Sequence, residues 1–192
     1  SKVLFIENTG TRNLQFTDLS RVFSRIKKWF NSKKGYKIIN KNFLLYSPLI
    51  LPFPYNKIST RINSYLTTRS IRNWIKNTGN RDICFISFLP TPLVSNVFSN
   101  INSIYKIYYC ADDMTRSNIH NVKKIHENNF IKNVDAVFCT SHNLFDKCKK
   151  INSSTYLIPS GVNFLKFKKV YNIKNNDLKI KKIYKSPIIG YI

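Results

Sequence analysis

Short apolar runs alternate with longer stretches of helical period along this chain. Val3-Leu-Phe-Ile6, Tyr36-Lys-Ile-Ile39, Phe43-Leu-Leu-Tyr46, Asp82 to Phe88, Ile104 to Cys110, Asp135 to Ser141 and Thr155-Tyr-Leu-Ile158 each have the length and composition of a strand. Val3 to Ile6 shows no alternation, which predicts a strand covered on both faces. Between the runs, Thr17 to Lys34 reads as a helix: Thr17 caps it, lysines crowd its last turns and Gly35 stops it. Its apolar face is Leu19, Val22, Phe23, Ile26, Trp29 and Phe30. Lys57 to Asn77 is helical in composition. Its apolar set Ile58, Ile62, Tyr65 and Leu66 falls out of register with Ile71, Trp74 and Ile75, which predicts a bend or two short helices. Further helices are expected over Leu93 to Phe98, Asn118 to Lys132 and His142 to Lys150. Ile119, Val122, Ile125 and Phe130 face the core in the second of these, and Ser141 caps the third. Prolines 48, 52 and 54 mark an extended loop.

Strands alternating with helices at this spacing imply an α/β fold: a Rossmann-like parallel sheet, right-handed crossovers and helices on both faces. Residues 1–165 make that domain. Residues 166–186 change to Lys, Asn and Tyr with little period, as a basic linker does, and residues 187–192 start a new apolar strand. A strand needs a sheet, so a second domain is expected to follow. A chain that opens at Ser1 directly before a strand reads as trimmed at its start.

The formal charge is +23, from 32 basic and 9 acidic residues. Such a balance suits nucleic acid or an anionic membrane surface. The basic residues, however, run along the whole chain, and heavy use of Lys, Asn and Ile with little Gly is the mark of coding bias toward A and T. A nucleic-acid binder should gather its basic residues on one face with aromatics between them, and no helix-turn-helix, finger or RNA-recognition signature is present. Cys84, Cys110, Cys139 and Cys148 fall singly without C-x-x-C spacing, so reduced buried thiols are expected, in a reducing cytosol, and no metal site. No apolar run approaches the ~18 residues of a spanning helix.

The candidate chemistry centres on Tyr108-Tyr-Cys-Ala-Asp-Asp113, a buried-strand pattern ending in two adjacent carboxylates. In open parallel sheets ligands bind beyond the carboxyl ends of the strands, where Asp112 and Asp113 would sit. The alternative is a solvated turn in which they cap and position the following helix. The polar loop around Gly10 occupies the first βα turn but lacks G-x-G-x-x-G spacing, so a dinucleotide site is poorly supported. On the expected first helix, Arg21, Arg25 and Lys28 form a basic stripe edged by Trp29 and Phe30. That stripe suits an anionic lipid surface or a plain solvated face.

Three spaced motifs together resemble the N-terminal half of group-1, family-4-like glycosyltransferases: the strand ending in Asp112-Asp113, the Asp135 to Ser141 strand, and Ile158-Pro-Ser-Gly-Val-Asn163 followed by a linker and Pro187-Ile-Ile-Gly-Tyr191. Ser160 and Asn163 stand where that family often has Asn and Asp, and both keep hydrogen-bonding capacity. The resemblance implies the two-lobed GT-B fold, with this chain supplying the acceptor-side lobe. A nucleotide-sugar would serve as co-substrate with no resident cofactor. The acceptor would be a glycan or lipid-linked molecule of cell-envelope polysaccharide synthesis, and transfer would usually be retaining. It places the enzyme in the cytoplasm or peripherally on the inner face of the membrane. Asn8, Thr9, Gly10, Thr11, Arg12, Ser141, Ser160, Gly161 and Asn163 would line the cleft, with Asp113 and its neighbour Asp112 handling the acceptor hydroxyl. The competing function is a basic membrane- or nucleic-acid-binding domain without catalysis.

Overall fold

The computed structural model describes residues 2–7, 27, 29, 35–51, 53–79, 82–113, 120–165 and 168. The chain divides into a compact unit over Ser1–Pro159 and a second over Ser160–Ile192. The first is an α/β unit with strands β1 (Val3–Ile6), β2 (Tyr36–Asn40), β3 (Phe43–Tyr46), β4 (Cys84–Ser87), β5 (Tyr105–Cys110), β6 (Ala136–Cys139) and β7 (Thr155–Leu157). Its described helices are α1 (Lys57–Thr78), α2 (Pro92–Asn100), α3 (His120–Lys132) and α4 (His142–Lys149). Of the helix expected over Thr17 to Lys34, only Lys27 and Trp29 are described, and both are helical.

Strands β4, β5, β6 and β7 form a four-stranded sheet in that order, with every neighbour parallel. Each of its crossovers carries one of the helices α2, α3 or α4, the solution a parallel pair requires. Strands β1, β3 and β2 form a separate three-stranded sheet in that order. There the all-parallel expectation fails: β2 runs antiparallel to β3. Only Lys41 and Asn42 join them, and two residues suffice for a hairpin but not for a crossover.

The helices pack on one face of the four-stranded sheet. Tyr108 and Cys110 of β5 and Val137 and Cys139 of β6 meet Phe98 of α2, Phe130 and Ile131 of α3, and Leu144 and Cys148 of α4. A second cluster joins Ile71 of α1 to Leu93, Val97 and Ile101, with Leu4, Ile6 and Phe85 against it. The sequence pattern predicts helices on both faces. Among the described residues all four lie on this one, while Ile86, Tyr105 and Tyr156 on the other face are exposed. Val3 and Phe5 of β1 are exposed as well, so that strand is covered on one side rather than two.

Two helices differ from their expected faces. α1 is one unbroken helix of 22 residues, and its concealed side consists of Ser59, Thr60, Asn63, Ser64, Thr67, Thr68 and Ile71. The apolar set Ile58, Ile62, Tyr65 and Leu66 points outward. Asn63 makes the inversion possible: its side chain accepts from the Leu51 N–H at 2.8 Å and donates to the Leu51 carbonyl at 2.9 Å, pinning the loop to the helix. Asn56 caps the start through the N–H groups of Ile58 and Ser59, and Gly79 closes the end in the left-handed conformation. In α3, Val122 and Ile125 are exposed instead of facing the core, and Glu127 is buried.

Candidate functional site

The carboxyl ends of β4 to β7 form one edge. Beyond β5 the chain continues through Ala111 to Asp112 and Asp113. Thr140, at the end of β6, ties the two strand ends together: its N–H donates to the Cys110 carbonyl at 3.3 Å and its hydroxyl to the Ala111 carbonyl at 3.2 Å. Ser141 follows it and caps α4, accepting from the Leu144 N–H at 3.5 Å. Asp112, Asp113 and Ser141 are therefore brought to one sheet edge by strands that are hydrogen-bonded neighbours.

Beneath the edge lies an ionic network that the sequence does not announce. Glu127 is completely buried, and its carboxylate accepts from the Lys147 ammonium at 2.7 Å and from the Tyr108 hydroxyl at 3.2 Å. The same ammonium donates to Asp113 at 3.2 Å. Lys147 thus bridges a concealed carboxylate and a partly exposed one. Burial alone would lower its pKa, but Glu127 and then Asp113 outweigh this and hold it above the ordinary lysine value. Burial pushes the Tyr108 hydroxyl strongly upward, with Cys110 and Glu127 adding to the effect. In this network Asp113 is a carboxylate of fixed orientation at a strand end, suited to accept a hydrogen bond from a hydroxyl or to hold a cation. Glu127 lies one turn back along the stripe of the buried Phe130 and Ile131, a core position that its charge disguises in the sequence.

Cys110, Cys139 and Cys148 also converge here. Their sulfur atoms lie within 4.8 Å of one another, all three buried, on β5, β6 and α4. Spacings of 29 and 9 residues along the chain conceal this meeting. They are the described residues best suited to hold a soft metal ion. The environment of two of them keeps the proton on sulfur: a hydrogen bond with Cys148, then burial, raises Cys110, and burial pushes Cys139 up to about 11. Cys84 is exposed.

These raised values have a pH consequence. Cys139 in the unfolded chain releases its proton near the ordinary 9.0, whereas the folded protein keeps it to about 11. The stability it contributes is fully present below pH 9 and is lost as pH rises toward 11, and Lys147, raised from 10.5, adds to the loss above that value. The urea midpoint should be level up to about pH 9 and then fall. A level or rising midpoint between 9 and 11 would contradict this.

Asn8, Thr9, Gly10, Thr11, Arg12, Arg21, Arg25 and Lys28 lie outside the described residues. Trp29 is half-buried, with its indole close to Gly35. Ser160, Gly161 and Asn163 are exposed and belong to the second unit.

No protein-family model matches this chain, and no curated protein matches it.

Proposed function

We propose that residues 1–165 form the acceptor-side lobe of a GT-B glycosyltransferase. It would pass a sugar from a nucleotide-sugar to a glycan or lipid-linked acceptor in cell-envelope polysaccharide synthesis. One observation carries the reading: Asp112 and Asp113 emerge at the carboxyl end of β5, a central strand of a parallel sheet, with the Thr140 and Ser141 hydroxyls on the adjoining strand end. The motif order in the sequence supports it independently.

The chemistry asked of the site is modest. Sugar transfer builds positive charge at the anomeric carbon and requires the acceptor hydroxyl to lose its proton. Asp113 would accept a hydrogen bond from that hydroxyl. The Lys147 ion pair would keep its carboxylate aimed at one place, so that less ordering is left to the moment of reaction. Asp112, exposed beside it, would contact a second hydroxyl of the acceptor.

The Asp113–Lys147 ion pair also favours a second reading, in which Asp113 anchors the loop and carries no chemistry. The complete gene product, given a panel of nucleotide-sugars and envelope glycans, separates the two through release of free nucleotide. Asp113→Asn should lower turnover about a hundredfold, the usual contribution of one proton-handling group. Full turnover with lowered stability would instead assign Asp113 to the fold. No turnover by the unsubstituted protein with any donor would end the enzyme reading.

A further inference from the structure

Helix α1 turns its apolar residues outward over most of its first half. Ile58 is 71 % exposed and Tyr65 64 %, and Ile62 and Leu66 on the same side are exposed also. Positions 58, 62, 65 and 66 fall on one side of a helix, and the helix conceals hydroxyls and amides on the other. Leu51 and Phe53 in the loop before it are exposed too. An amphipathic helix in water places these sides the other way round.

The same outward side carries Arg61, Arg69 and Arg72, and the 22 residues of α1 include no Asp or Glu. The three guanidinium groups line a groove of about 500 Å³ between α1 and α2, whose opposite wall includes Asn96 and Asn100. Arg72 is fixed in it by donating to the Asn100 carbonyl at 2.6 Å. Among the described residues no carboxylate lines the groove. The arginines and amides that line it suit an anion with acceptor oxygens.

We infer that this face docks the protein on an anionic phospholipid bilayer, with lipid phosphates in the arginine groove and Ile58, Ile62, Tyr65 and Leu66 at the acyl boundary. A soluble polyanion would use the arginines and leave the aliphatic ridge in water, whereas a bilayer covers both at once. Among the described residues no helix is long and apolar enough to cross a membrane, so the association is with the surface. This proposal does not depend on sugar transfer.

Flotation with phosphatidylcholine vesicles, with and without phosphatidylglycerol, tests it. Because the whole chain is strongly cationic, any face will draw it weakly to anionic lipid, so the decisive comparison is between variants of equal charge. Replacing Arg61, Arg69 and Arg72 by Gln should weaken binding to the anionic vesicles roughly a hundredfold. Replacing the exposed Lys37, Lys41 and Lys124 by Gln should weaken it only a fewfold, through the general field alone. Ile62→Asn with Leu66→Asn should lose about tenfold even in high salt, and a Leu66→Trp probe should shift its emission to the blue on anionic vesicles. Inorganic phosphate should not release the protein. Equal losses in the two charge triples, an unchanged apolar double variant, or release by phosphate would each overturn the proposal. So would a single-stranded oligonucleotide that binds with the Arg dependence but ignores Ile62 and Leu66, which would assign the face to nucleic acid.

Discussion

Replacing Lys147 by Met should cost about 3–5 kcal/mol of unfolding free energy, the usual penalty when one member of a concealed ion pair is removed. Glu127 is the reason. Its side chain has no exposed surface, and without the ammonium it keeps only the Tyr108 hydroxyl as a described donor. A carboxylate so placed is far from water and has lost its counter-charge. Met preserves most of the lysine stem, so the loss is electrostatic rather than a cavity. One further measurement isolates the cause. Adding Glu127→Gln to Lys147→Met should recover much of the loss, since a neutral amide no longer needs the cation. A urea-unfolding difference below about 1 kcal/mol would mean that the pair behaves as a surface salt bridge.

Gly35→Ala should cost about 2–5 kcal/mol, from two sources that add. Gly35 has φ +87°, a conformation that charges an L-residue about 1–2 kcal/mol. A methyl group there would also stand 2.5 Å from the Ser47 carbonyl oxygen and 2.9 Å from the Trp29 ring. Neither neighbour yields easily: the Ser47 N–H donates to the Gly35 carbonyl at 2.9 Å, and the oxygen is backbone. Overpacking of this sort adds about 1–3 kcal/mol. Gly79 serves as the control. Its φ is +68°, but a methyl group would meet nothing within 4 Å, so Gly79→Ala should lose about 1–2 kcal/mol by urea unfolding. Equal losses at the two glycines would show that the close approach at Gly35 relaxes at no cost.

Strand positions were legible because a largely apolar run such as Tyr105–Cys110 has few alternatives, and its abrupt end in two carboxylates marks the sheet edge. Orientation was less legible. The β2–β3 pair was located by composition, yet its antiparallel sense follows from the two-residue connection and not from the strands themselves. Helix faces were misread where burial is polar. In α1, Asn63 and the concealed hydroxyls replace the aliphatic side that periodicity looks for, and in α3 Glu127 occupies a core position because Lys147, twenty residues on, answers it. The three-thiol cluster depends on a strand pairing and a helix packing, information that spacing along one dimension does not hold.

Strand β2 ends its sheet, and among the described residues it pairs on one side alone. It carries the exposed residues Ile38 and Ile39, the kind of bare rim on which a second molecule could build an extra strand. Lys37 stands immediately before them and Lys41 just beyond the strand, both exposed, so two copies approaching rim to rim would bring like charges together. Lysines that say nothing about a ligand thereby discourage the folded chains from pairing rim to rim at this strand.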